Sequence, residues 1–133
     1  YLKGLAKSLG LQNQVHLLGY RNDISEICKT SDIFAFPSKR EGLGIAALEA
    51  MASGLPIVTS NLHGIVDYSV NGVTGYTCSP TDVDGFSDSI NRLMNEEGLR
   101  NKMANNNTGL VQKYDISKIE LILLKIYRDA GLR

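Results

Sequence analysis

Residues Pro37 to Pro56 read PSKREGLGIAALEAMASGLP and lie between two short apolar runs, Ile33-Phe34-Ala35-Phe36 and Ile57-Val58-Thr59. A continuous apolar run stopped by a proline has the pattern of a strand buried on both faces. Gly42 and Gly44 then open a run of good helix formers, Ile45 to Ala52, and Gly54 with Pro56 supplies stop signals. The unit is therefore strand, glycine loop, helix, strand. Positions 45–52 are apolar on every side except at Glu49. A helix apolar all round is normally buried, so the expectation is a buried Glu49. A buried carboxylate is costly without hydrogen-bond donors, and no cation lies within one helical turn, which points to a ligand as its partner.

Glu41 precedes the glycines, in the loop feeding the helix N-terminus. Amides there point outward and the helix dipole adds positive charge, a combination suited to phosphate or sugar oxygens. Glu41 and Glu49 stand eight positions apart. As helix that would be roughly 12 Å of rise, too far for the carboxylate pair of a retaining glycosidase, which needs about 5 Å. The two glutamates are expected to hold separate parts of one extended ligand.

The run Pro37-Ser38-x-x-Glu41-Gly42-x-Gly44-x-x-x-Leu48-Glu49-Ala50-Met51-Ala52-x-Gly54-x-Pro56-Ile57-Val58 resembles the signature of the family 4 retaining glycosyltransferases, the group 1 glycosyl transferases. The resemblance implies the C-terminal, donor-binding half of a GT-B enzyme built from two Rossmann-like domains. It assigns Glu41 to the donor sugar and to catalysis, and the backbone around Gly42, Leu43, Gly44 and Ile45 to sugar and diphosphate. It assigns Glu49 to the ribose hydroxyls, and the loop at Tyr20 and Arg21 to the base. Further similarity lies in Gly19, Asp32, the Asn71-Gly72-x-x-Gly75 turn and the segment from Tyr114-Asp115 to Tyr127, while Asp67 replaces the family's usual glutamate. The family's donor domain also has earlier strands and an Arg/Lys pair for the diphosphate. Relative to that pattern the chain starts after them, and the acceptor-binding N-terminal domain is the partner the resemblance implies.

The 133 residues suit one domain, here residues 1–133, with 43% hydrophobic content sufficient for a core. Fourteen basic and fourteen acidic residues cancel without a basic block, which argues against nucleic acid as a partner. No apolar run reaches membrane-spanning length and no leader pattern opens the chain. The expected setting is cytoplasmic, at the inner face of the membrane, with any membrane contact made through the other domain. Cell-surface polysaccharide synthesis is the setting the family most often serves. Cys28 and Cys78 lack metal-site spacing and read as free thiols.

Along the chain, Leu2, Leu5 and Leu9 have helical spacing, and Val15-His16-Leu17-Leu18 reads as a strand whose histidine has a structural role. Asp23 with Glu26 has capping-box spacing. Ile65 to Tyr68 reads as a helical turn and Tyr76-Thr77-Cys78 as a fourth strand. Asp82 caps a helix striped by Val83, Phe86, Ile90, Leu93 and Met94. That cap accounts for Asp82-Val83-Asp84 better than a D-x-D metal site does. A helix from Leu99 is expected to end in the polar run Asn105 to Gly109. The last helix, starting near Ser117 with Glu120 in capping-box position, carries Ile119, Ile122, Leu123, Ile126 and Tyr127. Strands alternating with helices give an α/β fold, a Rossmann-like parallel sheet flanked by helices, with ligands at the carboxyl ends of strands.

The expected function is a glycosyltransferase donor domain that binds a nucleoside-diphosphate sugar as substrate, with no cofactor and no metal. One alternative is a non-catalytic nucleotide-sugar binding module. Another is a dinucleotide-binding oxidoreductase domain, because Gly42-x-Gly44-x-x-Ala47 matches G-x-G-x-x-A. That fingerprint should follow its strand at once, whereas Pro37 to Glu41 intervene, and Ser60-Asn61 stands where the acidic residue belongs. Lys39 and Arg40 read as solvated loop charges and His63 as a loop histidine.

Overall fold

The computed structural model describes residues 1–131, so the last two positions of the expected domain lie outside the described residues. Helices α1 (Leu2–Ser8) and α2 (Ile24–Lys29) precede strand β1 (Phe34–Phe36). The central unit follows as α3 (Ile45–Ala52) and β2 (Ile57–Ser60), then β3 (Gly75–Cys78). Helices α4 (Val83–Asn95), α5 (Glu97–Leu110) and α6 (Ile116–Asp129) complete the chain, with a 3-10 turn at Val111–Tyr114 between the last two.

The strands form one parallel sheet in the order β1-β2-β3, with Phe34 opposite Ile57 and Ile57 opposite Gly75. Alternation along the strands divides the core in two. Ile57 joins Ala47, Leu48, Ala50, Met51, Ile65 and Tyr68 on one face, with Phe34 and Phe36 packed against them. Val58 joins Cys78, Phe86, Leu93 and Met103 on the other. Both cysteines are buried free thiols.

Several expectations change. The segment 15–18 forms no strand, and all four of its residues are exposed, His16 included. A strand exists only through a ladder partner, and none of the described strands pairs with this segment. Among the described residues the sheet thus has three strands rather than four. Asp23 occupies the N-cap of α2 but makes no capping bond, because its carboxylate accepts instead from Arg21, with Nε at 2.7 Å. The α4 stripe is buried only at Phe86 and Leu93, with Ile90 partly covered, while Val83 and Met94 stay exposed. Asp82 does cap α4, accepting the Gly85 amide at 2.9 Å. In α6 the cap is Asp115, which accepts the Ser117 amide at 2.9 Å, and no described α6 residue is buried.

The asparagine run does not end α5. The helix passes through it to Leu110, and Asn107 is wholly buried. Its Nδ2 donates to the carbonyls of Leu55 at 2.7 Å and Thr74 at 2.8 Å, fastening α5 to the starts of β2 and β3. Polar composition suggested a surface loop, but the buried Leu55 carbonyl needs a donor, and that of Thr74, which already accepts the Ile57 amide at 3.1 Å, takes a second from the same side chain. Asn107→Leu is expected to lower stability by about 1–3 kcal/mol, since the buried Leu55 carbonyl loses its donor while the Thr74 carbonyl keeps only the Ile57 amide. The urea midpoint measures it, and an unchanged midpoint would show that other donors serve those carbonyls.

Candidate functional site

β1 ends at Phe36, and residues 37–44 cross its carboxyl end before α3 begins. A dinucleotide-type turn, in which the first glycine follows the strand directly, is therefore not what this loop makes. Gly44 is the N-cap of α3 in the left-handed region, φ +73°. That conformation, and a hydroxyl 2.6 Å from where a Cβ would stand, explain why glycine occupies this position. α3 has no side-chain cap and no acidic residue in its first turn. Among the described residues no acceptor takes the amides of Leu43, Gly44, Ile45 and Ala46. The arrangement is electropositive and suits anionic oxygens.

Glu41 lies half-buried beside this terminus, its Oε1 accepting the Gly42 amide at 3.0 Å. The helix is not buried all round. Ala47, Leu48, Ala50 and Met51 enter the core, but Ile45, Ala46, Glu49 and Ala52 form an exposed face. The expected burial of Glu49 is thus corrected: alanine reads as apolar in sequence yet costs little on a surface, so an Ala-rich helix hides its outer side. Glu49 remains unpaired among the described residues, one turn beyond Ile45 on the face that continues from the glycine loop. Leu43, Ile45, Glu49 and Ala52 line one wall of an open groove of ≈ 570 Å³, with Tyr114 and Ile119 opposite.

Gly42, Leu43, Ile45 and Glu49 are exposed and Glu41 is half-buried, while Gly44 between them is buried. Tyr20 and Arg21 precede α2, which packs against α3. Tyr20 is almost wholly exposed. The Arg21 guanidinium is paired with Asp23, which raises its pKa and holds the Asp23 carboxyl below the usual range. Lys39, Arg40 and His63 are exposed.

In the loop after β2, the sequence drew attention to His63 and Asp67 but not to Gly64 or Tyr68 as supports of the site. Gly64, at φ +82°, presses against the glycine loop so closely that a Cβ would fall 1.5 Å from the Gly42 carbonyl oxygen. The Ile65–Tyr68 segment forms hydrogen-bonded turns, as expected, and carries Tyr68 into the core with its hydroxyl 3.4 Å from the Gly44 carbonyl oxygen. Burial first, then the neighbouring Glu41 and Tyr114, push the Tyr68 hydroxyl up to about 12, so it stays protonated. The glycine at 64 was the available signal, but which backbone it touches is a long-range fact.

The model of the glycosyl transferases group 1 matches residues 1–109. The chain belongs to the group 1 glycosyl transferases. Within this family it is 31% identical over 133 residues to an uncharacterized glycosyltransferase of Methanocaldococcus jannaschii, covering 98% of this chain and 34% of that one. It is 34% identical over 110 residues to the UDP-Gal:alpha-D-GlcNAc-diphosphoundecaprenol alpha-1,3-galactosyltransferase of Escherichia coli, covering 83% and 28%. Anabaena HepE in complex with UDP superposes at TM-score 0.92 and 27% identity, over 97% of this chain and 37% of that one. HepE has also been solved with UDP and glucose. The chain thus spans roughly a third of the length of the curated relatives it matches. Its Rossmann-like α/β fold is that of the group 1 glycosyl transferases.

Gly64→Ala tests the contact behind the loop. The left-handed backbone alone should cost about 1–2 kcal/mol, and displacement of Gly42 should speed hydrogen exchange across residues 41–46. Urea unfolding and exchange mass spectrometry measure the two. Wild-type values in both would show that the turn can move aside freely.

Proposed function

We propose that this chain is the donor-binding half of a retaining, family 4 glycosyltransferase that takes a nucleoside-diphosphate sugar, uses no essential metal and transfers a hexose to an acceptor hydroxyl. The observation that carries the reading is the uncapped α3 terminus, with its free amides, flanked by Glu41 and an unpaired Glu49 at the carboxyl end of β1. Family membership and the likeness to a protein solved with UDP-glucose support uridine diphosphate as the first nucleotide to try. In this reading the diphosphate lies on the Leu43 to Ala46 amides, Glu49 accepts both ribose hydroxyls, and the base lies toward Tyr20 and Arg21. Glu41 holds the sugar at the loop.

The acceptor site belongs to a second domain, N-terminal to this one. The apolar surface of α6, exposed at Ile116, Leu121, Ile122 and Ile126, and the groove beside α3 are surfaces available to such a domain. Among the described residues no helix is long and apolar enough to cross a membrane. Reaction at a cytoplasmic membrane face, on a lipid-linked acceptor as in the Escherichia coli relative's name, would therefore draw its membrane contact from the acceptor domain.

Removing a charged acceptor from two hydroxyls costs about 1.5–3 kcal/mol. Glu49→Ala is thus expected to weaken UDP binding about tenfold or more, read by calorimetry, and unchanged affinity would sink the ribose assignment.

The glutamates should separate kinetically. In the two-domain protein, Glu41→Gln should lower kcat while leaving UDP affinity nearly intact, because a contact that strengthens in the transition state appears in the rate. Equal losses of rate and UDP affinity would show that the roles are not divided in this way.

A further inference from the structure

Three side chains from separate parts of the chain converge on the place where Gly44 lacks a Cβ. The Tyr68 hydroxyl lies 2.6 Å from that point, a Phe36 ring carbon 3.1 Å and the Glu41 Cγ 3.3 Å. The Gly44 carbonyl, which starts α3 by accepting the Ala47 amide at 2.9 Å, has the Tyr68 hydroxyl as a further donor at 3.4 Å. Tyr68 itself cannot shift easily. Its ring packs edge-on against Tyr114 at 6.1 Å, its residue is 2% exposed, and the turn that carries it is wedged under Gly42 through Gly64.

We infer that Tyr68 is a positioning residue for the donor site: its hydroxyl, set against the Gly44 carbonyl, holds the start of α3 in one arrangement, so that the loop amides meet the donor pre-set. The inference rests on the donor-site reading above and adds to it a residue that touches no ligand. Its strength lies in placement rather than in bond energy, since a contact of 3.4 Å is long for a hydroxyl donor. A loop held in its bound geometry binds better because less ordering remains to be done on association. The hydroxyl keeps its proton, and therefore its donor role, across the working pH range.

Tyr68→Phe keeps the ring and removes only the hydroxyl, and Tyr68→Ile removes both. The readouts on the whole protein are melting temperature, hydrogen exchange of residues 41–46 without nucleotide, and UDP affinity. Tyr68→Phe should leave the melting temperature close to wild type, speed exchange in the loop and lower UDP affinity about threefold, the equivalent of one weak hydrogen bond. Tyr68→Ile should show the larger loss in all three. Unchanged loop exchange or unchanged affinity in Tyr68→Phe overturns the inference. So does an affinity loss that merely follows a fall in melting temperature, which would make the hydroxyl part of the core and nothing more. A wild-type protein that binds no nucleoside diphosphate overturns the donor reading itself, an outcome distinct from wild-type binding that Tyr68→Phe fails to alter.

Discussion

Ile57, Val58, Thr59 and Ser60 have no exposed surface, and a parallel strand buried so completely must be covered from both sides. The architecture answers that requirement. α3 packs below β2 through Ala47, Leu48, Ala50 and Met51, while α4 and α5 cover the other face through Phe86, Leu93 and Met103. Covering both faces leaves the strand's entry carbonyls out of reach of water, and Asn107 reaches in from α5 to serve the carbonyls of Leu55 and Thr74. The buried Thr59 hydroxyl pairs with that of Ser69 at 2.6 Å, so the turn after β2 is tied back to the strand.

That tie has consequences at the site. The segment after β2 folds under the glycine loop, bringing Gly64 against Gly42 and Tyr68 against Gly44. The proposed donor site is thus made of two layers. Glu41, the loop amides and Glu49 face outward; behind them a packed turn keeps the loop from relaxing. Free amides at a helix start attract anions generally, but geometry held to a fraction of an ångström requires the second layer. The same two-layer arrangement accounts for two glycines within this short space, one at 44 to admit the tyrosine and one at 64 to admit the loop.

The exposed sides of α3 and α6 follow a different logic. Ile45, Leu121, Ile122 and Ile126 are large, apolar and uncovered, and a surface of this kind is suited to contact with the second domain proposed above. Glu49 stands at the edge of that surface. A carboxylate there can reach a ligand lying between two domains, whereas one buried in the core could not.

The local grammar of the chain was enough for the strand, loop, helix and strand around residues 33–60, for the Asp82 cap, and for an anion-friendly loop flanked by two glutamates. Each depends on neighbours within a few residues, where apolar period, capping and glycine placement act directly. Only tertiary packing decided the rest. Whether Val15 to Leu18 pairs depends on a partner strand, whether Asn107 lies on the surface or in the core depends on carbonyls 33 and 52 positions away, and whether Glu49 is buried depends on what covers an alanine-rich face. Tyr68 belongs to the same class. Nothing near it in sequence announces a role, because its role comes from a carbonyl 24 residues upstream that the return of the chain under its own glycine loop brings to within 3.4 Å.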